Sequence, residues 1–174
     1  MKLEHFSTER AGGARWNFGK LYVEHSSIHD ATPLADNLRS ADRDELAAVT
    51  IEPPVQVLID GIRNSSPCYT IRVTDTGRPC GVFGTRQSDS PGCGVVWMLG
   101  TDDLTRHRRS FLRYSRRWLK ELHNHYDLLY NVIDARNKLH IRWLQWMGFE
   151  FDMDIPKYGI EKRHFIFFKH YERS

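Results

Sequence analysis

Cysteine is scarce in this sequence, and its placement excludes two architectures at once. Cys68, Cys80 and Cys93 are the only three in 174 residues. An odd number at such wide spacing fits neither a disulfide framework nor a C-x-x-C metal clip. The nine histidines include no H-E-x-x-H motif, so no metal is expected. Long apolar runs are also missing, which excludes a membrane-spanning helix. The opening residues lack the apolar stretch of a secretory signal, so neither secretion nor a membrane anchor is expected. Internal repeats and low-complexity tracts are absent too.

What is present fits one ordinary α/β domain. Hydrophobic residues make up 40 % of the chain and charged residues 27 %, with a net charge of +3. The periodicity divides the chain into an N-terminal arm (1–19), a domain (20–170) and a short tail (171–174). Leu21 and Val23 alternate with polar neighbours, as in a strand. Thr32 and Pro33 read as the start of a helix that breaks near Ser40. Val57, Leu58 and Ile62 mark a second helix. Tyr69, Ile71 and Val73 alternate as in a half-buried strand, and 80–85 forms another. Each cysteine then falls on one of three successive strands.

The later half carries the clearest signals. Residues 95–99 and 128–133 are continuous apolar runs, as expected of central strands covered on both faces. Between them, Leu104, Phe111, Ser115, Trp118 and Leu122 form the core stripe of one long helix. A further helix at 139–147 ends at Gly148. Residues 149–153 alternate, and 164–169 is a last aromatic strand. Exposed strand edges are expected at 69–74 or 165–169, where a partner strand could add.

This element order resembles the GNAT acetyltransferase fold over 20–169. Asn137 opening the last helix and the Gly148-Phe149 pair closing it match the family's pattern. The resemblance implies a mixed sheet of about seven strands, a splayed central parallel pair and about four helices. A narrower run, Asn137-Lys138-Leu139-His140-Ile141-Arg142-Trp143-Leu144 ending at Gly148, resembles the internal virion core protein A family of short-tailed phages (the Autographiviridae type). That family implies a host-cytoplasmic or virion location and virion or host proteins as partners.

The GNAT resemblance implies acetyl-CoA as cofactor, without a metal, and an amine as substrate. It places the thioester against backbone groups of Leu99, Gly100 and Thr101. It places the pyrophosphate on Arg106, His107, Arg108, Arg109 and Ser110, at a helix start whose dipole favours anions. Arg109 and Phe111 stand where the family has small residues, so that loop is irregular. Asn137 would bond the cofactor's arm or cap its own helix. Leu144 stands where many members have a proton-donating tyrosine, and 95–99 offers no carboxylate. His140, one turn before Leu144, and Asp134, at a strand end, are the candidate acid and base, His140 because histidine titrates near neutral pH.

Two rival readings follow from the same residues. The chain could be a non-catalytic virion or virion-assembly protein of this fold. It could also be a nucleic-acid-associated module, because Arg106, Arg108, Arg109, Arg113, Arg116, Arg117 and Lys120 crowd one helix. Nucleic acid is not the expected partner.

Overall fold

The computed structural model describes residues 15–172. Eight strands build one mixed sheet: β1 (Trp16–Phe18), β2 (Leu21–His25), β3 (Cys68–Val73), β4 (Pro79–Gln87), β5 (Cys93–Gly100), β6 (Leu128–Asp134), β7 (Glu150–Tyr158) and β8 (Arg163–Tyr171). Their spatial order is β1-β2-β3-β4-β5-β6-β8-β7, antiparallel throughout except for the parallel pair β5 and β6. Six helices accompany them: α1 (Ala31–Asp36), α2 (Ser40–Val49), α3 (Pro54–Arg63), α4 (Asp102–Arg106), α5 (Arg108–His123) and α6 (Lys138–Met147).

The helices divide between two faces because the apolar residues do. On one face Leu119 and Leu122 of α5 and Ile141, Leu144 and Met147 of α6 pack with Tyr69, Ile71, Leu129 and Ile133. On the other, Leu34 of α1 and Leu58 and Ile62 of α3 pack with Cys68 and Val82. Side chains alternate along a strand, so β5 serves both layers. Its Val96 and Met98 join the first core, and its Trp97 and Leu99 the second.

Several expectations need correction. Among the described residues the strands number eight rather than about seven, and six helices take the place of about four. Residues 16–18 of the expected arm are a strand paired with β2, whereas 1–14 lie outside the described residues. Tyr171 of the expected tail ends β8. The long helix is interrupted at His107, which separates α4 from α5. The first helical segment starts earlier than Thr32: Ser27 and Asp30 form a reciprocal cap on a short 3-10 turn that leads into α1. The strands expected at edges are internal. β3 lies between β2 and β4, and β8 between β6 and β7, because the final hairpin inserts its second strand next to β6. Among the described residues the edges are β1 and β7.

The local signals at the end of α6 hold. Gly148 adopts φ +99°, and the Phe149 N–H donates to the Leu144 carbonyl at 3.0 Å, closing the helix. Each cysteine lies on its own strand, Cys68 on β3, Cys80 on β4 and Cys93 on β5.

Candidate active site

The parallel ladder between β5 and β6 is short. It runs from Cys93 and Leu128 to Val95 and Tyr130 and stops there. One residue further on, Asn131 sends its side-chain amide across to the Val96 carbonyl at 2.8 Å, bridging strands that no longer pair. The central pair is therefore splayed, and residues 95–99 are only half-buried instead of covered on both faces. The gap opens a cavity of about 520 Å³. That is the size range of a small-molecule site. Residues of both cores line it, Met98, Trp118 and Leu144 from one and Trp97 and Leu99 from the other, so it crosses the sheet.

A polar cluster borders this cavity at the carboxyl ends of β5 and β6. Arg39 grips Asp42 through two nitrogens, at 2.8 to 3.2 Å. Asp42, 1 % exposed, also accepts the Gly100 N–H at 2.8 Å, tying α2 to the end of β5. Burial outweighs these favourable bonds and pushes the Asp42 carboxyl above its ordinary range. One turn along α2, Glu45 faces the cavity and accepts a hydrogen bond from the Asn137 side-chain amide at 3.1 Å. Burial raises the Glu45 pKa from 4.5 to about 7; the neighbouring charges of Asp42 and Asp134 add to the rise, and the Asn137 bond opposes it. A carboxyl tuned to this value can hold or release a proton at neutral pH.

Asn137 itself caps α6, its carbonyl oxygen accepting the His140 N–H at 3.4 Å. One side chain thus fixes both the helix start and the Glu45 carboxylate.

The two residues expected to do acid–base work are held differently. Asp134 is 2 % exposed and bound by the Arg136 guanidinium at 2.6 Å and by the Arg136 backbone N–H at 2.8 Å. Burial pushes its carboxyl up, but the Arg136 bonds more than offset that and hold it below its ordinary range. It is a clamped anion, not a free base. His140 lines the cavity with its ring 5.0 Å from that of Trp143. Burial, and then the Arg39 charge, lower its pKa from 6.5 to about 3, so it stays neutral where it was expected to titrate. This depression has a stability consequence. The unfolded chain takes up a proton near pH 6.5 that the folded protein refuses until about pH 3. Stability from this group is therefore full above 6.5 and falls as the pH drops. A His140→Gln variant should show a smaller loss of melting temperature between pH 7 and pH 4.5 than the parent.

The expected cofactor residues are also dispersed. Leu99 and Ser110 line the cavity. Gly100 and Thr101 do not offer their backbones: the Gly100 N–H is taken by Asp42, its carbonyl by the Arg39 N–H, and the Thr101 N–H by the Cys80 carbonyl. The Thr101 hydroxyl is buried and lacks a partner among the described residues. Arg106 pairs with Asp103 at 2.7 Å, while Arg108 and Arg109 are exposed at the start of α5 and His107 is half-buried beside them. Phe111 turns inward, lines the cavity and packs on Trp143 at 4.9 Å. Among the described residues no group of three or more metal-binding side chains gathers. No helix there is long and apolar enough to cross a membrane.

Sequence reasoning missed Glu45. A signal existed: Glu45 and Leu46 lie three and four residues after Asp42, and Val49 lies four and three after them, which puts two acids on the inward stripe of α2.

Neither a family model nor a curated protein sequence matches the chain. Solved structures do. The ribosomal-protein-S5-alanine acetyltransferase from Vibrio fischeri aligns with a TM-score of 0.63 at 15 % identity, over 91 % of this chain and 96 % of its own. The protein yncA from Salmonella typhimurium, solved with its cofactor acetyl-CoA, aligns at 0.66 and 13 %, over 88 % and 94 %. The aminoglycoside acetyltransferase AAC(6')-Ib, in complex with coenzyme A, aligns at 0.63 and 16 %, over 87 % and 95 %. At such low identities the likeness establishes the architecture, and the chain has the GNAT fold.

Proposed function

We propose that this protein transfers an acetyl group from acetyl-CoA to an amine, with Glu45 as the general base. The observation that carries the reading is the cavity crossing the sheet at the splay of β5 and β6, with the Glu45 carboxylate inside it. The neighbours solved with acetyl-CoA or coenzyme A share this fold. The residues present fit such a cofactor. Beyond Val95 the edge of β5 that faces β6 has no partner strand, which leaves room for an extended, amide-bearing arm. Leu99 and Ser110, which line the cavity, would border that arm, and Arg106, His107, Arg108 and Arg109 would face the pyrophosphate. When bound, the cofactor supplies an acyl group activated as a thioester.

The chain's own residues then have separate tasks. An ammonium entering the cavity cannot attack until it loses a proton, and Glu45 accepts it. Asn137 holds Glu45 in place, and Asp42 and Arg39 hold the helix that carries it. Trp143, Phe111 and Leu144 keep the slot apolar and exclude water.

A second reading, a non-catalytic virion component, is favoured by one observation. Phe111 occupies a position where the family keeps a small residue, and it projects into the cavity. The likeness of the run 137–148 to phage internal virion proteins supports the same reading.

Melting the protein with and without acetyl-CoA separates the two. Ligand at about one hundred times its dissociation constant should stabilise by roughly 2.7 kcal/mol. Replacing Arg108 and Arg109 together by alanine should weaken binding about 10- to 100-fold, the range of lost charge-assisted bonds. No shift at millimolar acetyl-CoA would remove the enzyme reading and leave the virion component.

A further inference from the structure

The half of the cavity on the α2–α3 face has a composition of its own. The alternation of the strands sends Trp97 of β5, Val132 of β6 and Phe165 of β8 to this face. Leu46 and Val49 of α2 and Val57 of α3 complete the apolar wall. Tyr158 closes the side, its ring 4.8 Å from that of Phe165. Glu45 and Asp60 are the carboxylates that border the cavity, and Asp60 is exposed at the rim, holding Gln56 at 3.0 Å.

Trp97 is fixed rather than loosely placed. Its indole N–H donates to the Ser65 hydroxyl at 2.8 Å. Its ring lies against Gly61, where an added Cβ would come within 3.0 Å of two ring carbons. Gly61 is in α3, where glycine is a weaker helix former than alanine. The glycine leaves space for the indole that an alanine would take. The result is a rigid aromatic wall facing a mainly apolar chamber with the Glu45 carboxylate inside, and with the polar groups of Thr50, Asn64, Ser65 and Arg86 also on its lining.

We infer that the acceptor is a primary amine on a short chain ending in an aromatic or branched aliphatic group, its amine at Glu45 and its apolar group against Trp97. This rests on the acetyl-transfer reading above. A polyamine or polyhydroxylated amine would need several polar partners, and the walls offer mostly hydrocarbon. Desolvating its polar groups without replacement bonds would disfavour it.

The test measures binding by calorimetry at pH 8 for 2-phenylethylamine, ethylamine and spermidine, and in parallel the melting shift with acetyl-CoA. Burying a phenyl group should make 2-phenylethylamine bind about 30-fold or more tightly than ethylamine. Gly61→Ala gains helix propensity, so it should fold, yet it presses the indole into the chamber. It should reduce the advantage of the phenyl compound about tenfold and leave ethylamine unchanged. Equal or tighter binding of spermidine would overturn the inference. So would an acetyl-CoA shift without measurable binding of any of the amines, and in that case the enzyme reading survives. Selective binding of 2-phenylethylamine without an acetyl-CoA shift would support the chamber as assigned and remove acetyl transfer.

Discussion

Replacing Glu45 by glutamine should lower kcat/KM for acetyl transfer about 10²- to 10⁴-fold, the usual range for a general base. The same change should make the protein more stable above pH 7. Both effects have one origin. Burial raises the Glu45 pKa from 4.5 to about 7. Between those values the folded protein keeps a proton that the unfolded chain has released. The stability contributed by this group is therefore full below pH 4.5 and lost as the pH rises through 7. Glutamine has no proton to lose, so the variant should gain on the order of 1–3 kcal/mol at pH 8 and almost nothing at pH 4. In the parent enzyme, kcat/KM should rise with pH through an apparent pKa near 7, and the variant should lack that limb. Comparison of pH–rate profiles and of melting temperatures at pH 4 and 8 checks both. A variant with full activity and an unchanged profile would show that the proton leaves by another route.

The contrast between Glu45 and the expected residues shows what a sequence can and cannot reveal here. The strand at 95–99, the cap at Asn137 and the stop at Gly148 are local features. Each follows from periodicity or from one residue's backbone chemistry, and each is found where it was read. The splay of β5 and β6 was implied by the family pattern and is present as a ladder that stops at Val95. The cluster beside it is non-local. Glu45 and Asn137 are 92 residues apart in the chain, and Asp42 and Gly100 are 58 apart. No short window contains the residues that bury the Glu45 carboxyl and surround it. His140 looked like a neutral-pH switch because its intrinsic value is near 6.5, and only its burial beside Arg39 removes that property. The backbone at Gly100 looked available because Asp42 and Arg39, which occupy it, belong to another helix. The expected edge at 165–169 failed for a related reason: the placing of β8 between β6 and β7 depends on which strand of the final hairpin meets the sheet.

Asp42→Ala should be the most destabilising single change near the site, costing about 3–5 kcal/mol. The Asp42 side chain is 2 % exposed and that of Arg39 12 %, so the pair is held away from water. The attraction between them does not make the pair strongly favourable, since burial raises the Asp42 pKa despite Arg39. Breaking it is another matter. Alanine would leave the Arg39 guanidinium without its anion and the Gly100 N–H without an acceptor. It would also remove one of the ties between the start of α2 and β5, leaving the Arg39 N–H to Gly100 carbonyl bond, and so loosen the placing of Glu45, one turn further on. Urea unfolding should show the midpoint moving sharply down with an unchanged slope. Adding Arg39→Leu to the alanine variant should recover part of the loss, because the second change removes the stranded charge. The double variant should regain stability in this way, but its acetyl-transfer rate should stay low, since neither change restores the Asp42 bond to the Gly100 N–H.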